Sequence, residues 1–95
     1  MKVYIAGPMT GIPDFNRDAF RKQHISLMNQ GHIVLCPAVL PDGLSQLQYM
    51  DICFAMIRAA DAILMLRGWE KSAGAIAEHA FAKKLGLDVI MENLA

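Results

Sequence analysis

The glutamate at position 78 lies in the centre of the apolar face of a predicted helix, within the stretch GWEKSAGAIAEHAFAKKLG (68–86). At about 100° per residue, five small or apolar residues fall within roughly 60° of it: Gly74, Ala75, Phe81, Ala82 and Leu85. An ionised carboxylate on a packed face costs several kcal/mol unless it is paired. We therefore interpret Glu78 as a nucleophile or base in a cleft. The alternative is that its side chain reaches the rim and pairs with Lys71 or Arg67.

Asp51 is a second carboxylate that could take part in chemistry, because it borders the apolar stripe of another predicted helix. Two carboxylates in one cleft can share the cleavage of a glycosidic bond. One attacks the sugar carbon and the other protonates the leaving group. An ordinary exposed helix position is the alternative for Asp51.

Three further side chains have both a functional and a structural interpretation. Ser72 begins the helix of Glu78, where a hydroxyl either caps the helix or helps free N–H groups to bind a phosphate. Tyr4 lies in an apolar strand and needs a hydrogen-bond partner, which is backbone in the simpler interpretation. Trp69 either stacks on a base or covers the core.

Gly7, Gly11 and Gly74 allow a ligand to approach the backbone closely, although neither a G-x-G-x-x-G fingerprint nor a Walker P-loop is present. The three histidines, His24, His32 and His79, have no spacing typical of a metal site, and we expect no metal. Cys36 and Cys53 lack C-x-x-C spacing and are expected to be reduced, buried thiols.

Four short apolar runs alternate with three helical patterns, which is typical of a parallel α/β sheet. The predicted strands are KVYIA, HIVLC, DAILML and DVIM. The first two predicted helices span about 17–29 and 45–59, and the third begins at Ser72, its expected N-cap, within the stretch 68–86. The first is expected to be capped by Asp14 or Asn16. The second is expected to bury the stripe Leu47, Met50, Cys53, Phe54 and Ile57.

Right-handed crossovers favour the flavodoxin-like, or Rossmann-like, strand order 2-1-3-4, in a three-layer sandwich. In such a sheet the ligand lies beyond the carboxyl ends of strands 1 and 3. The loops at those ends are the glycine-rich segments GPMTG and RGWEKSAG. The first of them supplies the candidate binding residues Gly7, Pro8, Met9, Thr10 and Gly11.

A chain of 95 residues is expected to form one domain, residues 1–95, with a single core. Its formal net charge of zero argues against a long nucleic acid as partner. Neither a signal-peptide pattern nor an apolar run long enough for a membrane span is present, so we expect a cytoplasmic protein.

Three motifs together resemble the nucleoside 2-deoxyribosyltransferase-like superfamily, which includes the 2′-deoxynucleoside 5′-phosphate N-hydrolases. They are YIAGPMTG, DICFAMIRAADAILML and SAGAIAEHAFA. The last is the most specific, because Ser72, Gly74 and Glu78 keep the residue types and spacing of the family's helix. The resemblance covers nearly the whole chain and implies a flavodoxin-like fold.

The resemblance also implies roles for the residues that match. Glu78 would form the covalent glycosyl intermediate, Asp51 would assist departure of the base, and Tyr4 would hydrogen-bond and orient Glu78. The family uses no cofactor or metal. Its members form homodimers or larger homo-oligomers in which a neighbouring subunit can complete the site.

Ser72 favours the hydrolase branch, because transferases of the family place an aspartate there, and an aspartate would repel a 5′-phosphate. The hydrolases carry a serine and an arginine in the turn after strand 1, where this chain has Pro8 and Thr10. Arg67 or Lys71 would have to supply the missing cation. The sequence ends soon after strand 4, without the fifth strand of the transferases, which argues against transfer and, with the missing arginine, motivates a non-catalytic binding protein as an alternative.

The sequence therefore predicts a hydrolase of the N-glycosidic bond in a (deoxy)nucleoside 5′-monophosphate. Two alternatives stay open. One is a non-catalytic protein that binds or sequesters a nucleotide or nucleotide-derived signal, and the other is a nucleoside deoxyribosyltransferase. A purely structural subunit would leave the position of Glu78 unexplained.

Overall fold

A parallel four-stranded sheet forms the middle layer of the molecule in the computed structural model, which describes residues 1–92. The strands are β1 (Lys2–Ala6), β2 (Ile33–Leu35), β3 (Ala62–Met65) and β4 (Asp88–Met91). They lie side by side in the order β2-β1-β3-β4, and every pair is parallel. The predicted α/β class and strand order are confirmed.

Three α-helices connect the strands, and a short 3-10 turn lies in each of the loops that follow β1, β2 and β3. The helices are α1 (Arg17–Asn29), α2 (Gln46–Ala59) and α3 (Ala73–Leu85). The 3-10 turns are Pro13–Asn16, Pro37–Val39 and Trp69–Lys71. A capping box between Ser45 and Gln48 begins α2, and the left-handed Gly86 ends α3. The bounds of α1 and α2 and the start of α3 agree with the sequence prediction within a residue.

The start of α1 differs from the expected side-chain cap. Asn16 occupies the N-cap position in a left-handed conformation, and no side chain caps the helix there. The Asn16 amide instead donates to the carbonyl oxygen of Pro8 at 3.0 Å. Asn16 is thus the N-cap residue, as one of the two predicted candidates, but the expected side-chain cap is wrong, because the Asn16 side chain bonds to the preceding loop instead.

The two faces of the sheet carry separate apolar clusters, as a doubly covered sheet requires. Along β1, Val3 and Ile5 pack with Phe20 of α1, whereas Tyr4 packs on the opposite face with residues of α2 and α3. This alternation follows from the two-residue period of a strand. It places Tyr4 on the face that α3 covers, the helix that carries Glu78.

The buried stripe of α2 is narrower than predicted. Cys53 and Ile57 are buried, whereas Leu47 is 73% exposed. Leu47 lies in the first turn of the helix, about 120° around the axis from Cys53. The inclusion of Leu47 in the core is wrong, and the inward direction of α2 is set by Cys53 and Ile57.

Within residues 1–92, no helix is both long and apolar enough to cross a membrane.

Candidate active site

A cavity opens beyond the carboxyl end of β1, between the loop that follows it and the facing sides of α2 and α3. Its floor is formed by Tyr4, Cys53 and Glu78. The loop after β1, the loop after β2, α2 and the start of α3 supply the rest of its wall: Gly7, Met9, Thr10, Phe15, Arg17, Pro37, Leu40, Gln46, Tyr49, Met50, Ser72, Gly74 and Ala75. The cavity lies at one of the two strand ends at which the fold was expected to bind a ligand.

Glu78 is buried beneath this cavity, with only 6% of its surface exposed. The Tyr4 hydroxyl, on the adjacent strand, donates to Glu78 Oε2 at 2.7 Å. The thiol of Cys53, one of the two buried cysteines, also lines the cavity floor, and its interaction with the carboxylate acts to lower the pKa of Glu78. The carboxylate is thus oriented from β1 and from α2, and a reacting atom would reach it from the cavity.

Burial raises the pKa of Glu78 from 4.5 to about 7, although the hydrogen bonds from Tyr4 and Cys53 act in the opposite direction. Burial also raises the pKa of Cys53 to about 11. The pKa of Tyr4 lies well above its usual 10, because of burial and the neighbouring charge of Glu78. At neutral pH the tyrosine and the thiol are therefore protonated donors, and Glu78 titrates close to neutrality.

The N-terminus of α3 forms one wall of the cavity. Ser72 is its N-cap, and Ser72 Oγ accepts a hydrogen bond from the Ala75 N–H at 3.2 Å. Both Ser72 and Gly74 line the cavity. A Cβ at Gly74 would have its nearest neighbour, Met50 Sδ, at 3.9 Å. That distance is ordinary van der Waals contact, and the N-terminus of α3 borders the cavity at Ser72 and Gly74, where an anionic group could meet it.

The loop after β1 contains a left-handed turn. Asp14, Phe15 and Asn16 have φ values of 52°, 53° and 60°. Each such non-glycine residue costs about 1–2 kcal/mol of backbone strain. The Asn16 bond to Pro8 and the hydrogen bond from the Phe15 N–H to the Ile12 carbonyl, at 2.9 Å, hold the turn in place. The turn directs Phe15 and the following Arg17 to the cavity.

Arg17 places a positive charge in the cavity wall. Its guanidinium donates to Asp14 at 3.0 Å and to Asp42 at 2.5 Å, and it lies 5.2 Å from the centroid of the Phe15 ring. The bonds to Asp42 and Asp14 raise the pKa of Arg17. Asp42 belongs to the loop before α2, so Arg17 connects two loops at the mouth of the cavity.

The structure does not bring Asp51 to the cavity with Glu78 and Tyr4. Asp51 is exposed and lies about 160° around α2 from Cys53. Its expected position beside the apolar stripe depended on Leu47, which faces solvent. The side chain that α2 turns toward Glu78 is that of Cys53.

Trp69 is also outside the Glu78 cavity. Its ring contacts His79 with centroids 4.4 Å apart, and it packs at the edge of the core cluster around Tyr4. It lines a separate depression near the ends of β3 and β4, together with Arg67. Arg67 and Lys71, expected to replace the missing cation, are not among the residues that line the Glu78 cavity.

Of the five residues of the loop GPMTG, three line the cavity and two maintain the conformation of the loop. Gly7, Met9 and Thr10 line the cavity. Pro8 accepts the Asn16 bond, and Gly11 provides a positive φ of 82° where the loop turns. A Cβ at Gly7 would lie 2.7 Å from Leu66 Cβ, so this glycine also permits the end of β1 to pack against the end of β3.

Sequence reasoning assigned no site role to Cys53, Arg17, Phe15 or Tyr49. For Cys53 a signal was present, since its place in the predicted stripe of α2 pointed it inward. Arg17 was predicted to begin α1 directly after the loop at the switch point, which is also a signal for a binding residue. The positions of Phe15 and Tyr49 in the cavity wall depend on the left-handed turn and on the loop before α2, respectively. No local sequence pattern predicts the conformation of either segment.

Comparisons with known proteins identify relatives of this chain. A family model described as "Domain of unknown function (DUF4406)" matches residues 1–91. A solved structure titled "2-desoxiribosyltransferase from Leishmania mexicana" matches with a TM-score of 0.77 and 24% identity, covering 95% of this chain and 62% of that chain. The present chain thus spans less than two thirds of that protein, and the likeness shows a shared fold. Comparison with curated proteins gave no match.

Proposed function

The chain belongs to the family described as Domain of unknown function (DUF4406), and on that premise we propose that it hydrolyses the N-glycosidic bond of a nucleoside or deoxynucleoside 5′-monophosphate. The observation that carries this proposal is the buried Glu78 carboxylate, held by Tyr4 at 2.7 Å in the floor of the cavity. The fold shared with a protein titled a 2-desoxiribosyltransferase supports the same class of chemistry.

In the proposed reaction, a carboxylate oxygen of Glu78 attacks C1′ of the sugar. The C1′–N bond breaks, its electron pair leaves with the base, and a glycosyl ester of Glu78 forms. Water then attacks C1′, which releases the sugar phosphate and returns Glu78 as a carboxylate and a proton. Tyr4 and Cys53 orient the carboxylate, and their hydrogen bonds favour its ionised form.

Two features support a 5′-phosphate on the substrate. Ser72 and the N-terminus of α3 present donors and a positive dipole end to the cavity. Arg17 contributes a guanidinium to the lining of the same cavity, and we assign to it the role that Arg67 or Lys71 was expected to fill. A phosphate that binds there would compete with Asp42 for the guanidinium.

The test is to incubate the protein with deoxynucleoside and ribonucleoside 5′-monophosphates and with the corresponding nucleosides. We expect free base and sugar phosphate by chromatography, and a glycosyl adduct on the peptide containing Glu78 by mass spectrometry after rapid quenching. Glu78→Gln should abolish both. Asp88→Asn, which alters an exposed carboxylate at the opposite end of the sheet, should retain both.

Undiminished cleavage by Glu78→Gln would contradict the assignment of the nucleophile. Binding of nucleotides in a thermal-shift assay, without release of base from any of them, would instead identify a nucleotide-binding protein. Transfer of the sugar to an added second base would identify a transferase.

A further inference from the structure

The departing base sets a requirement that the cavity has to meet. When the C1′–N bond of an ordinary nucleoside breaks, the base leaves as an anion unless an acid protonates it. A positioned acid typically contributes about 10²–10⁴-fold to such a step. A base that is already quaternised, and therefore positively charged, leaves as a neutral molecule and needs no proton.

The side chain next to Glu78 in the cavity is the thiol of Cys53, whereas protonation of the departing base would call for a second carboxyl group. Helix α2 turns Cys53 toward Glu78 and leaves Asp51 exposed, about 160° away around the helix. Among the cavity-lining side chains of residues 1–92, Glu78 itself is the single carboxyl group. Tyr49 also lines the cavity, but its hydroxyl donates to the Pro41 carbonyl oxygen at 2.6 Å, which leaves Cys53 and Tyr4 as the weak acids beside Glu78.

Neither of these groups is suited to supply that proton. Tyr4 already donates its hydroxyl proton to Glu78 Oε2, and Cys53 hydrogen-bonds to the same carboxylate. Burial raises the pKa of the Cys53 thiol to about 11 and that of Tyr4 well above 10. Both groups therefore stay protonated at neutral pH and are weak acids, and both interact with the nucleophile, Glu78.

The surroundings of the cavity favour a positively charged ring. The aromatic side chains of Phe15 and Tyr49 line it, and Phe15 already has the Arg17 guanidinium 5.2 Å from its ring centroid. Two carboxylates, Asp14 and Asp42, accompany that single arginine at the mouth. Glu78 supplies the carboxylate in the floor of the cavity, and a cationic ring bound beside it would be attracted to this charge.

We propose that the base released by this protein is a heterocycle that carries a positive charge in the substrate, such as an N-alkylated purine or a pyridinium ring. The inference deepens the proposed N-glycosidic hydrolysis and rests on it. Attack of Glu78 on C1′ breaks the bond to the charged ring nitrogen. The bonding pair neutralises that nitrogen, and the base departs without a proton. Water then cleaves the glycosyl ester as described above.

A matched pair of substrates tests this inference on the unaltered protein. 7-Methylguanosine 5′-monophosphate and guanosine 5′-monophosphate share sugar and phosphate, and differ by one methyl group that makes the base cationic. The 2′-deoxy pair is measured in parallel. After subtraction of the uncatalysed rates, we expect kcat/KM for the methylated member to exceed that of its partner by at least about 100-fold, since no acid in the cavity compensates for the poorer leaving group.

A variant that restores an acid provides the second measurement. Cys53→Asp places a carboxyl group beside Glu78, where burial and the neighbouring carboxylate favour its protonated form. We expect Cys53→Asp to cleave guanosine 5′-monophosphate faster than the unaltered protein does, by about tenfold or more, and thus to narrow the ratio between the two substrates. Cys53→Ser, which adds no acid, should keep the ratio.

The outcomes separate this inference from the proposed function. Equal kcat/KM for both members of a pair would mean that the site assists the neutral base as well, which would overturn the inference and leave N-glycosidic hydrolysis standing. Cleavage of neither member of either pair would overturn both. If Cys53→Asp does not fold, the comparison of the two substrates on the unaltered protein decides by itself.

Discussion

At the scale of single residues, the position of Glu78 carries both a cost and a function. Burial raises its pKa to about 7, so the ionised form is less stable in the folded protein than in the unfolded chain. The hydrogen bonds from Tyr4 and Cys53 reduce this penalty without removing it. A carboxylate that titrates near neutrality, aimed at a cavity, is what a nucleophile or base requires.

The stability of the protein is expected to depend on the titration of Glu78. Because the pKa of Glu78 is raised on folding from 4.5 to about 7, its contribution to stability is largest below about pH 4.5 and falls as pH rises to about 7, by at most about 3 kcal/mol. Glu78→Gln should lack this decline and should be more stable than the unaltered protein above pH 7. Urea denaturation at pH 5 and pH 8 measures it.

Asp88→Asn is the matched control, since it removes an exposed carboxylate from β4. It should show the same loss of stability between the two pH values as the unaltered protein. A decline of equal size in Glu78→Gln would mean that another group causes it.

Tyr4 is expected to set the pH at which the nucleophile becomes active. For the unaltered protein, kcat/KM should rise with pH through about 7 as Glu78 ionises, with the Tyr4 hydroxyl and Cys53 thiol facing the carboxylate from β1 and α2. Tyr4→Phe removes a bond that favours the ionised form, so the rise should move to higher pH. A pH profile of kcat/KM from 5 to 9 measures the displacement.

A lower rate at every pH, with the midpoint unchanged, would mean that Tyr4 acts only in packing. Partial recovery of activity at high pH would indicate that the hydroxyl acts through the ionisation of Glu78.

At the scale of elements, the N-terminus of α3 has two tasks. Ser72 Oγ caps the helix through the Ala75 N–H, and the same residue lines the cavity. A cap and a binding residue at one position explain why sequence reasoning found both interpretations credible. The caps of α2 and α3 allow the two tasks to be measured separately.

Ser72→Ala is expected to lower the free energy of unfolding by about 1 kcal/mol through loss of the cap, and also to raise KM for a nucleoside monophosphate. Ser45→Ala is its matched control, because Ser45 caps α2 through Gln48 and does not line the cavity. Ser45→Ala should lose similar stability and keep KM. Equal KM values in the two variants would remove Ser72 from substrate binding.

At the scale of the whole molecule, Arg17 joins parts that are distant in sequence. It connects the loop after β1, through Asp14, with the loop before α2, through Asp42, and both loops border the cavity. The strained left-handed turn before it is maintained by these contacts and by the Asn16 bond to Pro8. The mouth of the cavity is therefore organised around one guanidinium.

Arg17→Gln is expected to weaken binding of a nucleoside monophosphate by about 10–100-fold, the equivalent of one lost charge-assisted contact, and to change nucleoside binding much less. Arg21→Gln is the control, because Arg21 makes only an exposed pair with Asp18 one turn along the same helix. Isothermal titration of both ligands with both variants measures the effect. Equal weakening for nucleoside and nucleotide in Arg17→Gln would argue against phosphate recognition.

Sequence periodicity was sufficient for much of this protein. Alternating apolar runs and helical patterns predicted four parallel strands in the order 2-1-3-4, and the structure confirms that order. The helical wheel predicted that Glu78 faces inward, and it is buried. These are properties of local geometry, because the period of a strand or helix fixes which side chains share a face.

Only the tertiary structure decided which side chains meet Glu78. The helical wheel of α2 did not fix the rotation of the helix about its axis to better than about one side chain. Because Leu47 was wrongly included in the buried stripe, Asp51 and not Cys53 was predicted to face the site. Arg17 and Phe15 reach the cavity through a left-handed turn that costs energy locally and is maintained by contacts with distant residues. Periodicity describes one element at a time, whereas a site depends on how several elements pack together.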